Sequence, residues 1–142
     1  MTIQGKVEEQ TWRVNDERSS TRVIDDSFVN AVAALSGDHQ RIHTDAAFAA
    51  TTIFKRPIAH GVCLMLLTTE VLGMRMPGEG TIWQKMEMEL KQPVYIGDTI
   101  TTTARITFLE GRKMKILISC SNQDGVLVGE GVQSLSYKKP AA

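Results

Sequence analysis

The sequence predicts an α+β domain in which a curved antiparallel sheet wraps one long central helix. Three observations carry this expectation. Residues 61–72 are apolar on nearly every side, so a helix there must be buried. After Gly73 the pattern changes to a two-residue period, the signature of strands with one apolar face. The connections between those strands are too short for helical crossovers, so neighbouring strands should pair antiparallel.

Taken in order, Phe28, Val29, Val32 and Leu35 stand at helical spacing after Asp26, and Ser36-Gly37 closes the run. This predicts a short capped amphipathic helix over 27–36. A second brief helix is expected over 45–50. The central helix over 61–72 carries Val62, Cys63, Leu64, Met65, Leu66, Leu67, Val71 and Leu72, and Gly73 supplies its stop. In 81–91, Ile82, Met86, Met88 and Leu90 alternate with Lys85, Glu87, Glu89 and Lys91, with Gln84 alone breaking the apolar face. Ile100, Ala104, Ile106 and Phe108 continue the period, as do Met114, Ile116, Ile118 and Cys120, and 126–137 forms a last, less regular strand. Gly97-Asp98, Glu110-Gly111 and Asp124-Gly125 mark the turns. Helices are thus expected first and strands after them, a hot-dog arrangement in a single domain spanning 1–142, with 1–15 and 138–142 as frayed ends.

The charge balance narrows the partners. Lys and Arg number 16 and Asp and Glu also 16, so no broad basic face is available for nucleic acid. The longest strictly apolar run, residues 62–67, is far short of the roughly 20 residues of a membrane span. The first fifteen residues hold no signal-peptide core, and Cys63 and Cys120 sit within apolar stretches, so both read as reduced core thiols of a cytoplasmic protein. A sheet wrapped on one helix leaves open edges, which edge-to-edge dimerisation would cover.

All three histidines, His39, His43 and His60, fall between the first helix and the buried one. Asp38 lies five residues before His43, a spacing that lets a loop aim an acid and an imidazole at one water for general acid–base work. Asp after Gly also serves simply as a turn residue. His39 and His43 are spaced as zinc ligands, but Gln40 stands where a zinc protease needs Glu, no third ligand is evident, and Gly37-Asp38 points to a loop rather than a helix. His60-Gly61 follows Arg56-Pro57 at the start of the central helix. First-turn N–H groups there can hold a carbonyl oxygen as it gains charge, and Gly61 has no side chain in the way. His60 itself reads as a satisfied core or capping histidine.

Residues 28–45 (FVNAVAALSGDHQRIHTD), 48–61 (FAATTIFKRPIAHG), 76–81 (MPGEGT) and 91–99 (KQPVYIGDT) resemble the MaoC-like, R-specific enoyl-CoA hydratase family in order. The resemblance implies a metal-free, cofactor-free, typically homodimeric hot-dog enzyme that reversibly hydrates trans-2-enoyl thioesters of coenzyme A or acyl carrier protein to (R)-3-hydroxyacyl products. It places the catalytic pair at Asp38 and His43 and the carbonyl-binding N–H at Gly61. Thr69 falls where relatives often carry an auxiliary Ser, and Leu72 and Trp83 are candidates for the acyl pocket. Two departures stand out: Gln40-Arg41 replaces a common Asn-Pro, and Lys55 replaces a frequent Gly. Arg41 and Lys55 are candidates for meeting coenzyme A phosphates. The same scaffold also serves thioesterases, and a non-catalytic acyl-thioester binding subunit is a third reading.

Overall fold

A computed structural model describes residues 11–141. A strand not foreseen from the sequence, β1 (Glu17–Val23), comes before any helix, so the order is not helices first. Its sequence, ERSSTRV, has no apolar alternation because it is an edge strand: it pairs only with β4, from Glu17 opposite Arg105 to Val23 opposite Thr99. Helix α1 (Asp26–Ser36) matches expectation, but its cap is Asp25, whose carboxylate accepts the Phe28 N–H at 2.8 Å. Gly37 closes it in the left-handed conformation at φ 79°, which favours glycine. A short turn of helix, α2 (Arg41–Thr44), stands where a loop was expected, and α3 (Ala46–Ala50) is capped by Asp45.

The central helix α4 (Cys63–Glu70) runs on through one wider turn over Val71–Arg75. Cys63, Leu64, Leu67, Val71 and Leu72 are buried among the inward residues of the sheet. Each such side chain contributes about 1.5–3 kcal/mol through burial. The helix is not buried all round, however: Val62 is 47% exposed and Leu66 37%. The sheet covers one side of α4 only, so the opposite apolar stripe is left open.

The remaining strands are β2 (Thr81–Lys85), β3 (Glu89–Leu90), β4 (Thr99–Glu110), β5 (Lys113–Ser121) and β6 (Leu127–Tyr137). They form one antiparallel sheet in the order β1-β4-β5-β6-β2, with β3 also paired to β6. Ile100, Ala104 and Ile106 on β4 and Met114, Ile116, Ile118 and Cys120 on β5 all point into the core, as the two-residue period requires. Phe108 escapes because the register shifts between Ile106 and Phe108. The antiparallel sheet curled on α4 is the expected hot-dog architecture.

The single strand expected over 81–91 is broken in two, and of its expected inward residues Met88 alone packs against the core. Ile82, Met86 and Leu90 are exposed, whereas Trp83 packs against the core. The register shifts between Trp83 and Lys85, so residues on either side of it do not share one alternation. Beyond it the buried Gln133 side chain replaces ladder bonds, accepting the Glu87 N–H at 3.0 Å and donating to the Glu87 carbonyl. Gly131 makes this close approach possible, since a Cβ there would collide with the Glu87 backbone.

Candidate active site

Loop 37–40 and helix α2 bring Asp38 and His43 together. The His43 ring is buried, and its Nδ1 lies 2.7 Å from the carbonyl of Ile58. A carbonyl only accepts, so Nδ1 carries the proton and Nε2 is left with its lone pair. Nε2 faces Asp38 Oδ2 at 3.6 Å, too long for a hydrogen bond and suited to sharing a small group between the two. The Asp38 carboxylate accepts the Gln40 N–H at 3.2 Å and the Gln40 side-chain amide at 3.4 Å. The Gln40 backbone N–H is the main reason its carboxyl titrates below the ordinary value; partial desolvation opposes this, and the Gln40 amide, His43 and His60 assist it.

His60, expected as a satisfied core or capping histidine, completes the cluster. Its ring is buried, stacks on His43 with centroids 3.7 Å apart, and donates from Nε2 to the Asp38 carbonyl at 2.9 Å. It is not a satisfied core histidine, because its buried Nδ1 has no hydrogen-bond partner. His39 is exposed and stands outside the cluster. Asp38, His43 and His60 hold ligand-capable atoms within 4.8 Å of one another. His60 meets Asp38 through Nε2, which is engaged as a donor, so its Nδ1 is the ring nitrogen left unpartnered.

The cluster opens on a cleft of about 290 Å³, lined by His43, His60, Gly61, Cys63, Leu64, Leu90 and the apolar edges of Phe54, Ile58 and Val94. Gly61 lies at the entry to α4, and among the described residues its N–H donates to no other backbone group. A side chain at this position would meet Leu90 Cδ1 at 2.6 Å. The cleft therefore sets the His43 and His60 rings and a backbone donor with no backbone acceptor beside a largely apolar wall, a layout that can hold a polarised carbonyl compound.

The MaoC-like domain model matches residues 6–123. The chain belongs to the MaoC-like domain family. Among its relatives it is 45% identical over 85 residues to the (R)-specific enoyl-CoA hydratase of Aeromonas caviae, covering 60% of this chain and 63% of that protein. It is 34% identical over 121 residues to the 3-hydroxybutyryl-CoA dehydratase of Methylorubrum extorquens, covering 83% of this chain and 77% of that one. The solved (R)-hydratase from A. caviae superposes with a TM-score of 0.88 at 32% identity, covering 92% of this chain and 100% of that chain. An R-hydratase from Pseudomonas aeruginosa superposes at 0.87 with 29% identity, covering 91% and 84%.

Within this MaoC-like domain the other expected site residues lie apart from the cleft. Thr69 is exposed and its hydroxyl donates to the Met65 carbonyl at 3.0 Å. Leu72 is fully buried in the core, and Trp83, half-buried, donates from Nε1 to the Lys85 carbonyl at 3.0 Å. The two departures from the family pattern have local consequences. Gln40 anchors the Asp38 carboxylate with two contacts, and Arg41 lies over the Phe48 ring at 4.2 Å. Lys55 adopts φ 66°, a left-handed conformation that explains why glycine suits this position. Cys63 lines the cleft, but burial pushes its thiol up to about 12, so it is no ready thiolate nucleophile.

Proposed function

We propose that this chain reversibly hydrates trans-2-enoyl thioesters to (R)-3-hydroxyacyl thioesters. The observation that carries the reading is the 3.6 Å approach of His43 Nε2 to Asp38 Oδ2, with His43 and Gly61 lining one cleft. A water bridging the pair from the side donates one hydrogen to Asp38 and the other to the Nε2 lone pair. Nε2 takes the proton as the water oxygen bonds to Cβ, and the alkene electrons move to the thioester oxygen, held by the Gly61 N–H. The resulting imidazolium, stabilised by the Asp38 anion, returns the proton to Cα and restores the thioester. Proton transfer of this kind contributes about 10²–10⁴-fold and one oxyanion donor about 10²–10³-fold. No electrons are gained or lost overall, so the step needs no redox cofactor.

The names of the relatives support coenzyme A as carrier, with acyl carrier protein as the second candidate. The open stripe of Val62 and Leu66 supports a homodimer, and a monomer on gel filtration at micromolar concentration would refute that part. No helix among the described residues is long and apolar enough to cross a membrane, and a cytoplasmic location is part of the proposal.

Crotonyl-CoA mixed with the protein should lose its enoyl absorbance and give the (R)-3-hydroxy product on chiral analysis. Asp38→Asn should slow the reaction about 10²–10⁴-fold. Release of free thiol with no hydration would replace this reading with a thioesterase, and tight binding without turnover would make the chain a carrier subunit.

A further inference from the structure

We propose that His60 is a positioning residue that sets the Asp38 to His43 geometry, an inference that rests on the acid–base reading above. Two ring contacts and one backbone link meet at this residue. Nε2 donates to the Asp38 carbonyl at 2.9 Å, the ring face stacks on His43 at 3.7 Å with an interplanar angle of 24°, and the backbone leads directly into Gly61. One side chain thus ties the carboxylate loop, the imidazole and the carbonyl-binding N–H to a common reference.

The loop needs such a tie. Residues 37–40, Gly-Asp-His-Gln, contain no proline, and the Asp38 N–H and carboxylate are satisfied locally by Ser36 and Gln40. Among the described residues, the bond from His60 is the one hydrogen bond joining residues 38–40 to a distant part of the chain. Without it the carbonyl of Asp38 is free to swing and to carry the carboxylate away from Nε2. Misplacement of about 1 Å at a reacting group can cost about 10²-fold in rate. Packing alone does not explain a histidine here, since an apolar ring would fill the space without leaving a buried nitrogen unpartnered at Nδ1.

The test uses three variants of the full chain, with thermal unfolding measured for each. His60→Phe keeps the stacked ring and loses the donor; His60→Gln keeps an amide donor at similar reach; His60→Asn shortens that reach. We expect His60→Phe to lower kcat about 10-fold or more with KM within about threefold, His60→Gln to recover most of that loss, and His60→Phe to add less than about twofold in an Asp38→Asn background. Unchanged kcat in His60→Phe, or full additivity with Asp38→Asn, would overturn the proposal. If His60→Phe fails to fold, the contrast between Gln and Asn decides, with equal rates counting against a positioning role. If the parent protein hydrates no enoyl thioester, the functional reading falls by itself. Carboxyl NMR titration of Asp38 in His60→Gln and His60→Asn, which both lack the imidazole, then decides for His60: a higher apparent pKa in the Asn variant supports the tie, and equal values overturn it.

Discussion

Replacing Gly61 with alanine tests the carbonyl-binding role separately from the fold. The added methyl would lie 2.6 Å from Leu90 Cδ1, with the rest of the Leu90 side chain no nearer than 4.0 Å. Leu90 is 56% exposed, and the colliding atom is the tip of a flexible side chain, so it can rotate away. Gly61 is not among the glycines with positive φ, so alanine incurs no left-handed backbone penalty. Stability should therefore change by less than about 1 kcal/mol. The carbonyl-binding role proposed for Gly61 gives a much larger consequence for catalysis, because a methyl on Cα crowds the approach of a thioester oxygen to the adjacent N–H. Loss of one such donor costs about 10²–10³-fold, equivalent to about 2.7–4 kcal/mol of transition-state stabilisation. The assay is the hydration rate of crotonyl-CoA alongside thermal unfolding of the same preparation. A variant that folds normally and hydrates within threefold of the parent rate would refute the assignment of Gly61.

Three further outcomes are expected. Gly131→Ala should destabilise by more than about 2 kcal/mol in denaturant titration, because the methyl meets Glu87 backbone rather than a movable side chain. Lys55→Gly relieves the left-handed conformation at φ 66° and should raise stability by about 0.5–1 kcal/mol, measured the same way. Asp38 has a folded-state carboxyl pKa below its ordinary 3.8, so its stabilising contribution is fully present above that value and is lost only as pH falls through the lower, folded one. Carboxyl NMR should show Asp38 still ionised at pH 4, and Gln40→Ala should move its titration upward.

Much of the fold was legible because burial imposes periodicity. The inward residues of β4 and β5 and the apolar inner side of α4 follow from which residues must leave water. The strand Glu17–Val23 was not legible: an edge strand with both faces largely exposed has no apolar alternation to read. Residues 81–91 showed a regular alternation that a register shift interrupts, and the Gln133 side chain that interrupts their pairing lies 46 residues from its partner Glu87. At the site, Asp38, His43 and Gly61 were legible from spacing and resemblance. His60 was quoted in that motif, yet its role depends on a ring stack and a bond to a carbonyl 22 residues away. Thr69 was placed by family position and Leu72 and Trp83 were candidates for the acyl pocket, whereas the cleft wall is built largely from Phe54, Ile58, Leu64, Leu90 and Val94.

The sequence by itself determined that a buried helix and a one-faced sheet must cover each other, and that titratable side chains gather in the segment between the first helix and the buried one. Local periodicity and composition suffice for that, because hydrophobic burial depends on residue type and spacing. Tertiary structure alone decided which imidazole nitrogen keeps its lone pair, how far that nitrogen stands from the carboxylate, and that a second histidine lies against the first. Those features depend on the carbonyls of Ile58 and Asp38, and a backbone carbonyl is the same group in every residue. Only the folded path of the chain selects which of them an imidazole meets.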